Sequence, residues 1–224
     1  MTQFREGLQA VAEAVAASAD DLNRLDGQAG DGDLGVTMRT ASAIVLELLP
    51  GLEGRSLPDH LRECGLALAR GAPSTAGTLV ASGLLRAAKQ AESNTDKPPS
   101  VMLALLLAAA INGIADRGKA EVGSRTMLDA LEPARAAAER SAAEGESLER
   151  ALMRAAEAAD EGARATASMQ AVHGRAGWLA ERAAGHEDAG ARLVAIALGA
   201  AADAATRTEP ARTGAPHRGS SDDE

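Results

Sequence analysis

Three aspartates share one glycine-rich stretch, Asp26-Gly27-Gln28-Ala29-Gly30-Asp31-Gly32-Asp33-Leu34-Gly35. Carboxylates without His or Cys among them are hard oxygen ligands, the kind Mg2+ takes together with waters and substrate phosphates. The glycines allow a turn tight enough for the three side chains to converge. A helix beginning near Val36 would aim its N-terminal amides at a phosphate. The chemistry expected here is a divalent cation holding a polyphosphate. The competing reading is a solvated acidic turn that caps a helix.

Two other motifs fail on context. Gly30, Gly32 and Gly35 fit G-x-G-x-x-G, but that dinucleotide fingerprint follows a strand within a βαβ unit, and here a helical pattern precedes it. Asp31 and Asp33 would also repel a pyrophosphate unless a cation lay between. An EF-hand needs regularly spaced oxygen ligands with glycine at the sixth position, and that spacing is absent.

Three further small-residue loops could contribute. Pro73-Ser74-Thr75-Ala76-Gly77 offers hydroxyls and amides at a helix start, which an N-cap explains equally well. Asp116 to Ser124 is the third. His173 to Ala189 is rich in Gly, Arg and His and carries Arg175 and His186, either of which reads equally as a surface or capping residue.

The elements that position these loops are helical. Aromatic residues make up 1% of the 224-residue chain, with Phe4, Trp178 and no tyrosine. Strands favour aromatic and β-branched residues, whereas Leu and Ala are good helix formers. Apolar residues recur at helical spacing through Phe4, Leu8, Val11, Val15, Leu22 and Leu25, then through Met38 to Leu48. Further helices are expected near 57–70, 76–92, 100–115, 125–142, 148–170 and 190–206, about eight in all. The special loops follow the first, third, fifth and seventh of these, so an up-down topology gathers all four at one end. Residues 1–206 thus form one all-α domain. The polar, aperiodic tail 207–224 is expected to be disordered.

Charge and composition exclude several partners. A net charge of −9 lacks the basic face that nucleic acid or an anionic membrane requires, yet it admits a small anion bound through a metal. The most apolar run, Val101 to Ile114, is too short for a bilayer and reads as a core helix. Cys64, alone in Cys64-Gly65-Leu66-Ala67-Leu68, reads as a buried inert thiol, and the absence of a disulfide suits a cytoplasmic setting.

Four blocks, in order, resemble the nucleotide-binding (L) subunits of dihydroxyacetone kinases, the DhaL family. They are Leu25-Asp26-x4-Asp31-Gly32-Asp33-x-Gly35-x-x-Met38; Asp116 to Ala120 with Thr126 to Ala134; Gly174-Arg175-Ala176; and Glu181-Arg182-x-x-Gly185-His186-x-Asp188-x-Gly190. The resemblance implies antiparallel helices closed into a barrel, with the nucleotide capping one end. It implies that Asp26, Asp31 and Asp33 bind two Mg2+ ions bridging the phosphates of ADP or ATP. Leu34, Gly35, Val36, Thr37, Ser74, Thr75 and Ala76 would contact phosphates. Gly118 and Met127 would line the adenine pocket, and Arg175, Asp188, Ala189 and Gly190 would complete the site. Asp129, on the helix beyond the third loop, is expected to matter little for binding. The chain departs from the family at Leu34, where His is frequent, at Thr37, where Asn is frequent, and at Ser124-Arg125, which replaces Asp-Lys.

The function implied is phosphoryl transfer by positioning and charge neutralisation. The small ketone, dihydroxyacetone or a tetrulose, would sit on a separate DhaK-like ketone-binding subunit. A protein of the phosphotransferase system is the alternative phosphoryl donor. Two rivals remain at this point: a non-catalytic nucleotide-binding regulator, and a helical interaction module with a structural Ca2+ or Mg2+.

Overall fold

The computed structural model describes residues 2–169 and 184–207. Helices α1 (Thr2–Ala17), α2 (Ala19–Ala29), α3 (Leu34–Leu48), α4 (Leu57–Gly71), α5 (Thr75–Glu92), α6 (Pro99–Gly118), α7 (Leu128–Ala143), α8 (Leu148–Ala165) and α9 (Ala189–Arg207) make up nearly all of it. No strand occurs among the described residues. From α3 onward each helix packs on the next, α1 packs on α3, and α9 returns against α1. The ring therefore closes into the expected barrel. The expectations for residues 208–224, and for His173, Arg175 and Trp178, lie outside the described residues.

Small side chains set the barrel's tightness. Ala151, Ala155, Ala159 and Ala163 repeat every fourth residue along one face of α8 and are fully buried, opposite Ala130, Ala134 and Ala138 of α7. That spacing keeps one face of a helix narrow along its whole length. At Gly162 the two helices come so close that a Cβ would be driven into the carbonyl oxygen of Asp129. Leu22 and Leu128 are the largest side chains with almost no exposure. Cys64 is buried as expected, and burial pushes its thiol up to about 11.

Several boundaries differ from the periodic pattern. The first amphipathic stretch is two helices, broken at Ser18 (φ −89°, ψ 4°), although Ser18 N–H still reaches the Ala14 carbonyl at 3.1 Å. The pair acts as one stave of the barrel, so eight staves hold nine helices among the described residues. Helix α7 begins at Leu128 rather than 125, because Arg125 is left-handed (φ 60°) and cannot extend a right-handed helix. Helix α8 ends at Ala165, followed by a 3-10 turn from Thr166 to Ser168. Helix α6 spans 20 residues, longer than its apolar run. By length and composition α6 and α9 could each cross a membrane, but each packs between two other staves of the barrel.

Candidate functional site

Helix α2 carries Asp26 on its last turn, so that residue belongs to the helix rather than to the loop. Its Oδ2 accepts N–H groups from Gly32 at 2.9 Å, Asp33 at 3.0 Å and, more weakly, Leu34 at 3.4 Å. One carboxylate thereby folds the turn 30–33 over itself. Gly32 takes φ 77°, which favours glycine, and a Cβ on Gly30 would lie 2.5 Å from Asp26 Oδ1. The carboxylate oxygens of Asp26, Asp31 and Asp33 come within 4.8 Å of one another. Asp33 stands at the N-cap of α3, yet its side chain makes no capping bond. The capping alternative for this turn is therefore wrong at Asp33; Asn23 Oδ1 takes the Val36 N–H instead, at 3.1 Å. Gly35 packs so tightly on α2 that a Cβ would be driven into the Ala19 carbonyl.

The second loop ends in a capped helix. Ser74 Oγ accepts the Gly77 N–H at 3.0 Å, which leaves its own proton to donate elsewhere. The third loop is held from below. Asp129 is 4% exposed, and its carboxylate accepts the N–H of Gly123 and, at 2.7 Å, that of Thr126. Sequence placed Asp129 on a helix outside the site; the structure buries it directly under the loop. Arg125, also buried, donates to the His186 carbonyl at 2.8 Å and so ties the third loop to the fourth.

In the fourth loop the Asp188 N–H donates to the buried Thr166 hydroxyl at 2.8 Å. Asp188 Oδ1 accepts the Ala191 N–H at 2.8 Å, capping α9. Burial pushes the Asp188 carboxyl up to about 6; the Ala191 N–H and the Arg125 charge oppose that rise, and Asp129 and Asp26 add to it. Arg192, paired with Glu187 and Asp160, braces the same corner.

All four loops open onto one cavity of about 950 Å3. The acidic loop contributes Asp26, Asp31, Asp33 and Leu34, and the second contributes Ser74, Thr75 and Ala76. Gly118 and Met127 line the third side, and Asp188, Ala189 and Gly190 the fourth. Gly35, Val36 and Thr37, expected at the phosphates, do not line it, because α3 turns them towards α2 and the surface. Asn23, Asp129 and Thr166 were missed by sequence reasoning. Only Asp129 left a signal: a carboxylate between Leu128 and Ala130-Leu131, on a helical face that must bury, calls for partners.

The DAK2 domain family matches residues 28–203. The chain belongs to that family. Among its relatives is the D-erythrulose kinase of Mycolicibacterium smegmatis, 38% identical over 88% of this chain and 34% of that enzyme. Another is the ADP-binding subunit DhaL of the PEP-dependent dihydroxyacetone kinase of Escherichia coli, 30% identical over 86% of this chain and 91% of the subunit. The chain thus spans about a third of the first relative and nearly all of the second. Among solved structures, the dihydroxyacetone kinase from C. freundii in complex with AMP-PNP and Mg2+ superposes with a TM-score of 0.69. It is 25% identical and covers 89% of this chain and 33% of that one. The DhaL resemblance and the all-α fold expected from sequence are therefore established.

Proposed function

We propose that this chain is the Mg-ADP/ATP-binding subunit of a dihydroxyacetone-type kinase, and that it supplies the phosphoryl group to a small hydroxyketone held on a DhaK-like partner. The observation that carries the proposal is the convergence of three carboxylates within 4.8 Å at a cavity lined by all four loops. Three negative groups so close repel one another, and a hard divalent cation removes that repulsion. The donor set contains oxygen alone, and Gly30 keeps the face of Asp26 clear of any side chain. These residues fit Mg2+, one ion or two.

In this reading Asp26, Asp31 and Asp33 hold the metal, and Asp26 also fixes the turn that presents the other two. Bound there, Mg2+ would neutralise the β- and γ-phosphates. Ser74, Thr75 and Ala76 approach the phosphates from the start of α5, and Ala189 and Gly190 from the start of α9. Arg175 would join them from residues outside those described. Leu79, Ile114, Ala120 and Met127 give the remaining wall an apolar surface suited to a purine. The open mouth is where a partner would present its ketone, whose few atoms need a dedicated pocket to fix a hydroxyl in line. A phosphotransferase-system protein as the phosphoryl donor is a further proposal of the same site.

Calorimetry tests this directly. Mg-ADP should bind tightly, EDTA should abolish most of the affinity, and Asp31→Asn should weaken it strongly. The chain alone should leave dihydroxyacetone and erythrulose unphosphorylated until a ketone-binding subunit is added. Equal ADP affinity with and without metal would overturn the site. Robust ketose phosphorylation by the isolated chain would overturn the division of labour.

A further inference from the structure

We propose that Asp129 is a positioning residue for the base half of the nucleotide, acting through the backbone of the third loop. The inference rests on the nucleotide reading given above and adds a residue to it. The loop has an improbable backbone: Gly123 lies at φ 92° and Arg125 at φ 60°. A non-glycine residue in the left-handed region persists only where its surroundings over-determine it. Here Asp129 supplies much of that constraint. Its two oxygens take the Gly123 and Thr126 amides on either side of Arg125, and the turn is completed by the Ser124 N–H to the Glu121 carbonyl at 3.2 Å.

The loop so fixed sets two things at the cavity. Arg125 is aimed at the His186 carbonyl, strapping the third loop to the fourth. Met127, next to the held Thr126, is seated against the start of α9, where a Cβ on Gly190 would meet Met127 Cβ at 3.5 Å. Met127, Thr126 and Arg125 all line the cavity. Asp129 does not line it. The acidic loop, by contrast, is folded by Asp26 and Asn23. Asp129 therefore acts by hydrogen bonding on one half of the site, while its charge, like that of Asp26, is also felt at Asp188.

Asparagine at 129 tests this because it keeps the shape but has one acceptor and a donating amide. One loop N–H would then face another N–H, and a buried donor would lose its partner. Asp129→Asn should weaken Mg-ADP binding about tenfold. The factor by which ADP affinity rises from low to saturating free Mg2+ should change little. Asp31→Asn should instead reduce that factor. Gly123→Ala places a Cβ in open space but at φ 92°, so it disturbs the loop without touching the buried carboxylate. It should weaken ADP severalfold with the same Mg2+ response, and it decides the matter alone if Asp129→Asn does not fold. Wild-type ADP affinity in both variants would overturn the proposal, as would a loss of the Mg2+ response in either. Wild-type protein that fails to bind Mg-ADP would defeat the nucleotide reading instead, a separate and recognisable result.

Discussion

The raised pKa of Asp188 makes stability depend on pH in a direction opposite to the usual carboxylate. Unfolded, this group ionises near 3.8; folded, burial pushes it up to about 6. Between those values the native protein holds a proton that the unfolded chain has released. Its contribution to stability is therefore fully present below about pH 4 and is lost as pH rises through about 6. Two units correspond to about 3 kcal/mol at most. Asp188→Asn removes the titration and keeps the acceptor for the Ala191 N–H, since Asn and Asp cap helices about equally well. The variant should thus match wild type near pH 4 and exceed it by up to about 3 kcal/mol above pH 7, in urea unfolding without metal or nucleotide. A difference that stays flat across that range would show that the carboxylate is not held beside Arg125, Asp129 and Asp26.

Two further outcomes follow from packing. Gly35→Ala should destabilise the fold by about 1–3 kcal/mol in chemical unfolding, since its Cβ would enter the Ala19 carbonyl; unchanged stability would refute the close approach of α3 to α2. Native Cys64 should resist iodoacetamide at neutral pH and react only on denaturation, because burial shields the thiol and disfavours its thiolate. Rapid labelling of the folded protein would contradict that.

What could be read in the sequence was local. The three aspartates, the glycines between them and the alternation of helices with small-residue loops are short-range features, and they place four loops around one cavity. The residues that hold those loops act at a distance. Asn23 reaches Val36, Thr166 reaches Asp188, and Arg125 reaches His186. Each is a side chain bonded to a backbone group of another element, a pairing that leaves no periodic trace. The break at Ser18 and the late start of α7 were hidden for the same reason. Amphipathic spacing continues smoothly through residues whose backbone turns aside, because Arg125 is left-handed for the loop's sake and not for the helix's.

These long-range bonds also decide how a polyphosphate could be held. Three helices, α3, α5 and α9, begin at the cavity, and each offers N-terminal amides that attract anions. In α3 the Val36 amide already serves Asn23 and the Leu34 amide, more weakly, serves Asp26, which also takes the loop amides of Gly32 and Asp33. In α5 and α9 the caps reach only the third amide, Gly77 from Ser74 and Ala191 from Asp188. The two amides ahead of each cap contact belong to Thr75, Ala76, Ala189 and Gly190, all of which line the cavity. On the proposed function, the aspartates of the acidic loop therefore meet the nucleotide through metal, while α5 and α9 meet it through backbone. A protein with a net charge of −9 needs that division. Direct contact between the acidic loop and a phosphate would set like charges together, whereas a cation between them turns the same carboxylates into the strongest holding point in the site.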